Sequence, residues 1–179
     1  MPGSDCSRAQ AGDDELEDAD LVNCDLSGVD LSDGDLDGAD LTGAVLDGTN
    51  LNGADMKAAN LTGVSGAGSD LSDTNMDDAV LVGANLPNAW FDKAKLHRAD
   101  LRGGVFTNAS FFDTHLENAD ASGARFDFAY VEKLRLKNVN LTDASLLGAT
   151  GNPSNHNEAI WNDTTCPSGA VRSTDCYGP

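Results

Sequence analysis

The chain is short of cations: 11 Lys and Arg stand against 30 Asp and Glu in its 179 residues. A body of that sign repels phosphate backbones and anionic headgroups, which argues against direct nucleic-acid binding and against adhesion to anionic membranes. Long apolar runs are missing as well. None approaches the roughly 20 residues that cross a bilayer, so no membrane span is expected. The Met-Pro-Gly-Ser start lacks the basic, apolar and small-residue layout of an export signal, so an exported form would have had its signal removed. Closely spaced pairs of metal-binding Cys or His are also lacking, which argues against a structural zinc site. What the chain has in quantity is acid, unevenly placed. Residues 1–90 hold 19 acids and two bases, Arg8 and Lys57, whereas residues 91–179 hold 11 acids and nine bases.

Periodicity decides the fold class. Leu21, Leu26, Leu31, Leu36, Leu41, Leu46 and Leu51 recur every five residues, and the phase runs on through Phe91, Phe106, Phe111 and Phe126 to Leu146. Of 26 centres only Gly66 and Ala121 are weak, and a small or short side chain, usually Ala, sits two positions before each except Leu136. A period of five fits neither the 3.6 of a helix nor the 2 of a strand, so the chain must turn once per repeat. The position two after each centre is Gly, Asn or Asp in 21 of the 26 repeats, the residues that best tolerate positive φ. Four such corners close a square coil of about 20 residues, with the centre and its small predecessor inside.

Ala-Asp-Leu-Thr-Gly at 39–43, Ala-Asn-Leu-Thr-Gly at 59–63 and Ala-Asp-Leu-Arg-Gly at 99–103 resemble the consensus of pentapeptide-repeat proteins, and the resemblance covers residues 19–149. It implies an all-β fold, a right-handed quadrilateral β-helix (β-solenoid) of about six and a half coils with short terminal caps. At roughly 4.8 Å per rung the shaft would be about 30 Å long. The organisation expected is a leader or cap over 1–18, the β-helix over 19–150, and a carboxy-terminal cap over 151–179.

A solenoid exposes its core at both ends unless something covers it. Ile160 and Trp161 are the apolar residues expected over the last coil. Cys166 and Cys176 bracket a short polar loop with no core of its own, which suits a disulfide; Cys6 with Cys24 would staple the amino-terminal cap, the alternative for Cys24 being a buried thiol at an inward Ala position. Two such bridges point to an extracellular, periplasmic or lumenal setting, the alternative being a cytoplasmic protein with free thiols.

Residues 20 apart stack, so each face can be written out. Trp90, Phe112 and Tyr130 gather on the third face, and Lys95, His97, Arg98, His115, Arg135 and Lys137 on the fourth, with Lys93 nearby. Outward aromatics are not core, so Trp90, Phe112, Tyr130, Lys95 and Arg135 form the candidate interaction patch for another protein. The rival reading folds the tail after residue 150 over them. His97, His115 and Glu117 come within reach of one another, but on a convex face with nothing to exclude water, so no catalytic residue, metal ligand or cofactor is assigned. Asn60, Asn108, Asn140 and Asn162 fall in glycosylation sequons, some of which the repeat itself generates. The reading is of a non-enzymatic binding module, monomeric or weakly dimeric. Two alternatives stand beside it: an acidic mimic of DNA that binds an enzyme such as DNA gyrase, and weak calcium binding between stacked Asp side chains.

Overall fold

A computed structural model describes residues 6–10 and 15–178. Gly12, Asp13 and Asp14 of the expected amino-terminal cap lie outside the described residues.

Each repeat supplies one corner and one rung. In the corner after Leu21, the Cys24 N–H donates to the Leu21 carbonyl at 3.1 Å, closing a four-residue turn whose third residue, Asn23, has φ 56°. Positive φ at that position alone is what a type II turn requires, hence the Gly, Asn and Asp preference. All 26 corner positions from Asn23 to Gly148 adopt it, including Ala58, Lys93, Arg98, Phe128 and Lys133. Between corners a single residue bridges in parallel to the residue twenty further on: Asp20 to Asp40, Asp40 to Asn60, Asn60 to Val80. Such bridges recur at every fifth residue from Glu15 to Tyr130, so the chain lies over itself after four corners. Main-chain groups are satisfied between coils, as when Leu21 N–H donates to the Asp40 carbonyl at 2.8 Å and Asp40 N–H to the Ala19 carbonyl at 2.9 Å.

The interior is four columns of centre residues. Leu21, Leu41, Leu61, Leu81 and Leu101 form one and are fully buried. In the second half the columns turn aromatic. Phe91 stacks on Phe111 with centroids 4.8 Å apart and Phe106 on Phe126 at 5.3 Å, and the two stacks meet edge to face, Phe106 with Phe111 at 5.8 Å. These are favourable aromatic geometries. Gly104 takes the small inward position before Phe106 because a Cβ there would stand 2.6 Å from the Phe106 ring. Buried hydroxyls at the same inward position bond upward or locally, as Thr49 Oγ1 does to the Leu26 carbonyl at 2.7 Å and Thr114 Oγ1 to the Phe91 carbonyl at 2.7 Å.

The outward rung position is less free than the repeat pattern implies. The Oδ1 of Asp30, Asp35 and Asp40 accepts the N–H two residues on, at 3.2, 3.2 and 3.0 Å, and Asn50, Asn60 and Asn140 do the same. Asx side chains at this position brace the entry to the corner, so part of the acidity is a folding requirement that Asn meets equally well.

At the amino end the helix α1 (Cys6–Gln10) is held by a disulfide from Cys6 to Cys24, with Ala9 buried against the core. Repeat geometry already holds at Glu15 and the fully buried Leu16, ahead of residue 19. At the carboxy end it runs beyond 150, through unequal steps. Thr150, which bridges Tyr130, and Ser154, which bridges Arg135, are only four residues apart, and a 3-10 turn, His156–Glu158, lengthens the next step to six. The two irregularities cancel, so Ile160 still bridges Asn140 and Thr165 still bridges Ser145. Ile160 and Trp161 are therefore separated rather than paired over the core: Trp161 points inward at a centre position and is buried, while Ile160 points out and is 53% exposed. The alternation of a rung residue with a centre residue forces that split.

The lid above Trp161 comes from later residues. Trp161 Nε1–H donates to the His156 carbonyl at 2.8 Å, the Tyr177 ring lies 6.2 Å from the indole, and His156 Nδ1 lies 2.6 Å from Asp175 Oδ2. Strands β1 (Thr164–Thr165) and β2 (Val171–Arg172) form an antiparallel hairpin, and the Cys166–Cys176 disulfide ties this segment to Tyr177. Burial, then the charge of Asp175, push the Tyr177 phenol up to about 12.

Candidate functional site

The outer surface of the second half departs most from what the repeat demands. On the third face the rungs run Asp70, Trp90, Ser110, Tyr130, each bridged to the next. Trp90 is 50% and Tyr130 43% exposed, so among the described residues the tail does not cover them. Phe112, one residue beyond the buried Phe111, lies parallel to Tyr130 with centroids 6.3 Å apart, and Lys133 Nζ sits 5.1 Å from the Phe112 centroid in a cation–π contact. Trp90, Phe112 and Tyr130 thus share the third face, as their spacing implies.

Two members of this surface escape sequence reasoning. Phe128 is 57% exposed and Leu147 41%, both beside the corner between the second and third faces. Phe128 occupies a left-handed corner at φ 59°, and its ring lies where a Cβ on Gly148 would stand, 2.5 Å away. An aromatic, the only one among the 26 corners, was the signal available. A bulky side chain in the left-handed region costs about 1–2 kcal/mol relative to the ordinary backbone, and that is a reason to look for a use.

On the fourth face Asn75, Lys95, His115 and Arg135 stack as expected. The cations do not form an open basic stripe, because the twenty-residue period also stacks acids against them. Arg98 makes a two-pronged pair with Asp78, Nε to Oδ1 at 2.7 Å and Nη2 to Oδ2 at 2.6 Å. Arg135 lies 3.8 Å from both Asp113 and Glu117, and Lys137 3.9 Å from Glu158. Lys93, Lys95 and Lys133 make no ion pair among the described residues, and they border the aromatic surface along its third-to-fourth-face edge.

His97, His115 and Glu117 do converge, and they are only partly exposed. His97 Nδ1 lies 2.7 Å from Asp77 Oδ1 and Nε2 lies 3.4 Å from Glu117 Oε2. Burial, then the charge of Arg135, hold the His115 imidazole below its ordinary value. No helix of the described residues is long and apolar enough to cross a membrane.

Comparison with known proteins places this architecture. The family model for pentapeptide repeats matches eight copies, over residues 4–46, 24–63, 67–98 and 91–127. No curated protein sequence matches the chain. Among solved structures, the chain is similar to HetL, a pentapeptide repeat protein involved in heterocyst differentiation regulation in the cyanobacterium Nostoc sp. strain PCC 7120. That match has 30% identity over 88% of this chain and 74% of that one, with a TM-score of 0.47. A trypsin-treated form of QnrB1, a plasmid-mediated fluoroquinolone resistance protein, matches at 18% identity over 74% of this chain and 78% of that one, with a TM-score of 0.54. A pentapeptide repeat protein of the Arabidopsis thaliana thylakoid lumen matches at 23% identity over 63% and 68%, with a TM-score of 0.30. The repeat, the rung spacing and the family match lead to one conclusion: the chain belongs to the pentapeptide repeat family, whose fold is the right-handed quadrilateral β-helix.

Proposed function

We propose that this chain is a non-enzymatic binding module of about six and a half coils that offers one protein partner the outer surface of its second half. The observation that carries the reading is the clustering of Trp90, Phe112, Phe128 and Tyr130 on and beside one face, with three of them more than 40% exposed. Aromatic anchors on a rigid support lose little entropy on docking and dominate binding energy where they are buried. Lys95 and Arg135 flank them, which favours a partner surface that is apolar with an acidic rim. Caps close both ends, with α1 (Cys6–Gln10) at the amino end and the lid of His156, Asp175 and Tyr177 at the carboxy end.

The setting proposed is an oxidising one. Both cysteine pairs are bridged and no free cysteine remains among the described residues, which suits export or a lumen. Thiol titration of the freshly isolated native protein should find none, and four free thiols would overturn the assignment. The binding surface is tested by capture from the source's own extract, scored against Trp90→Ala and Tyr130→Ala. Loss of one specific partner in both variants supports the reading, and equal capture by both variants and the parent overturns it.

Mimicry of DNA is the second reading, favoured by the 19 acids and two bases of residues 1–90. An acidic rod suits a basic DNA channel. The bracing role of the rung carboxylates accounts for part of this acidity without a partner. A supercoiling assay in which the protein neither inhibits nor protects gyrase removes this reading and leaves the first untouched.

A further inference from the structure

We propose that His97, His115 and Glu117 form a binding site for a divalent transition-metal ion of the zinc type, with Asp77 as the carboxylate that orients His97. The repeat creates the juxtaposition. Asp77, His97 and Glu117 are twenty apart and stack in one column, while His115 lies on the rung two residues before Glu117. One ligand atom from each of the three lies within 4.8 Å of the others.

Hydrogen bonding fixes the polarity of this cluster. Asp77 Oδ1 already accepts the His97 main-chain N–H at 3.0 Å, and it lies 2.7 Å from His97 Nδ1. A carboxylate only accepts, so in the neutral imidazole Nδ1 carries the proton and Nε2 presents its lone pair away from Asp77. Carboxylate–histidine pairs of this kind set the tautomer of metal-bound imidazoles. Nε2 faces Glu117 Oε2 at 3.4 Å, yet Oε2 is buried and has no hydrogen-bond partner. Two electron-pair donors thus face each other with no hydrogen bond between them. Two ligands about 2.0–2.1 Å from a tetrahedral zinc ion would lie about 3.3–3.4 Å apart, the separation observed here. Arg135 Nη1 lies 3.8 Å from the other oxygen, Oε1, so it holds Glu117 without occupying Oε2. Rotation of the His115 side chain supplies the third ligand, and solvent the fourth.

Two imidazoles and one carboxylate suit zinc and its first-row neighbours, whereas calcium needs six to eight oxygens. Because His97 belongs to one coil and His115 with Glu117 to the next, a bound ion would clip adjacent coils together.

The test titrates the whole, disulfide-intact protein with zinc chloride by calorimetry, with calcium chloride in parallel. One zinc per chain should bind with micromolar or tighter affinity and raise the melting temperature, and cobalt should give the visible absorption of a tetrahedral nitrogen–oxygen site. His97→Ala and His115→Ala should each weaken zinc at least tenfold. Asp77→Asn, which keeps all three ligands, should weaken it about 10–100-fold. Glu117→Gln, close in shape to the parent, keeps the comparison valid if an alanine variant melts early without metal. Absence of saturable one-to-one binding up to about 100 µM zinc, binding by calcium as tight as by zinc, or parental affinity in both histidine variants would overturn the proposal.

Discussion

The two halves of the rod share an interior plan and differ outside. Leu51 and Phe111 occupy the same core column and both are fully buried, while the outer surface passes from 19 acids and two bases to a mixed, aromatic one. The acidic half is nearer to what folding alone asks for. Asp and Asn brace its rungs, and its corners depart from Gly, Asn and Asp only at Ala58. The other four departures, Lys93, Arg98, Phe128 and Lys133, lie after residue 90, as do the exposed aromatics Phe128 and Tyr130. Trp90 itself marks the boundary. Where a scaffold tolerates nearly any outward residue, the positions that work against it are the informative ones.

The largest effect should separate the two interiors. Phe111→Ala is expected to cost about 3–5 kcal/mol and Leu51→Ala about 2–5 kcal/mol, measured by denaturant unfolding. A larger cost at Leu51 would show that the favourable ring geometries add nothing to burial alone. Next come the ends: the bridges span 18 residues at the amino end and 10 at the carboxy end. Loss of either, through Cys24→Ala or Cys176→Ser, should cost about 3 kcal/mol on chain entropy, with faster amide exchange confined to the end concerned. A smaller gain distinguishes the corners. Ala58→Gly, relieving φ 55°, should stabilise by about 1 kcal/mol. Phe128→Gly should gain less, because its ring no longer packs on Gly148, and it should lose partner capture.

The smallest effect is in acid. A hydrogen bond from Arg102 lowers Asp100 below the ordinary 3.8. At Asp127 burial pushes upward, but hydrogen bonds from Ser145 and Arg125 outweigh it, so the net direction is also down. A carboxyl lowered in the folded state contributes stability above about 3.8 that is lost as pH falls through its folded value. Both arginines are largely exposed, so solvent screens each pair and its contribution to stability is small. The melting temperature of Arg102→Gln should fall below that of the parent near neutrality and converge with it below about pH 3.

The shaft was legible because one period governs everything: from Leu21 to Leu146 a centre residue, a small residue and a corner residue recur without slippage. The carboxy end was not, because the steps of four and six around His156–Glu158 hide the fact that Trp161 keeps phase with Leu141. No pattern announced the lid of His156, Asp175 and Tyr177, which depends on a loop drawn in by Cys176. On the surface, the third-face aromatics follow from spacing. The neutralised fourth face needed a second column, the residues one and two past each centre, to show Asp77 beneath His97 and Asp78 beneath Arg98. Phe128 sat in a position reserved for turn residues, so its exposure was masked by its expected role.

The uniform handedness of the corners limits how such a chain can change length. Removing one repeat near Gly63 would leave every later rung a well-formed rung, but it would carry Trp90 and Tyr130 a quarter-turn around the axis, away from whatever docks there. Only edits of twenty residues would return them to the same compass bearing, one storey lower.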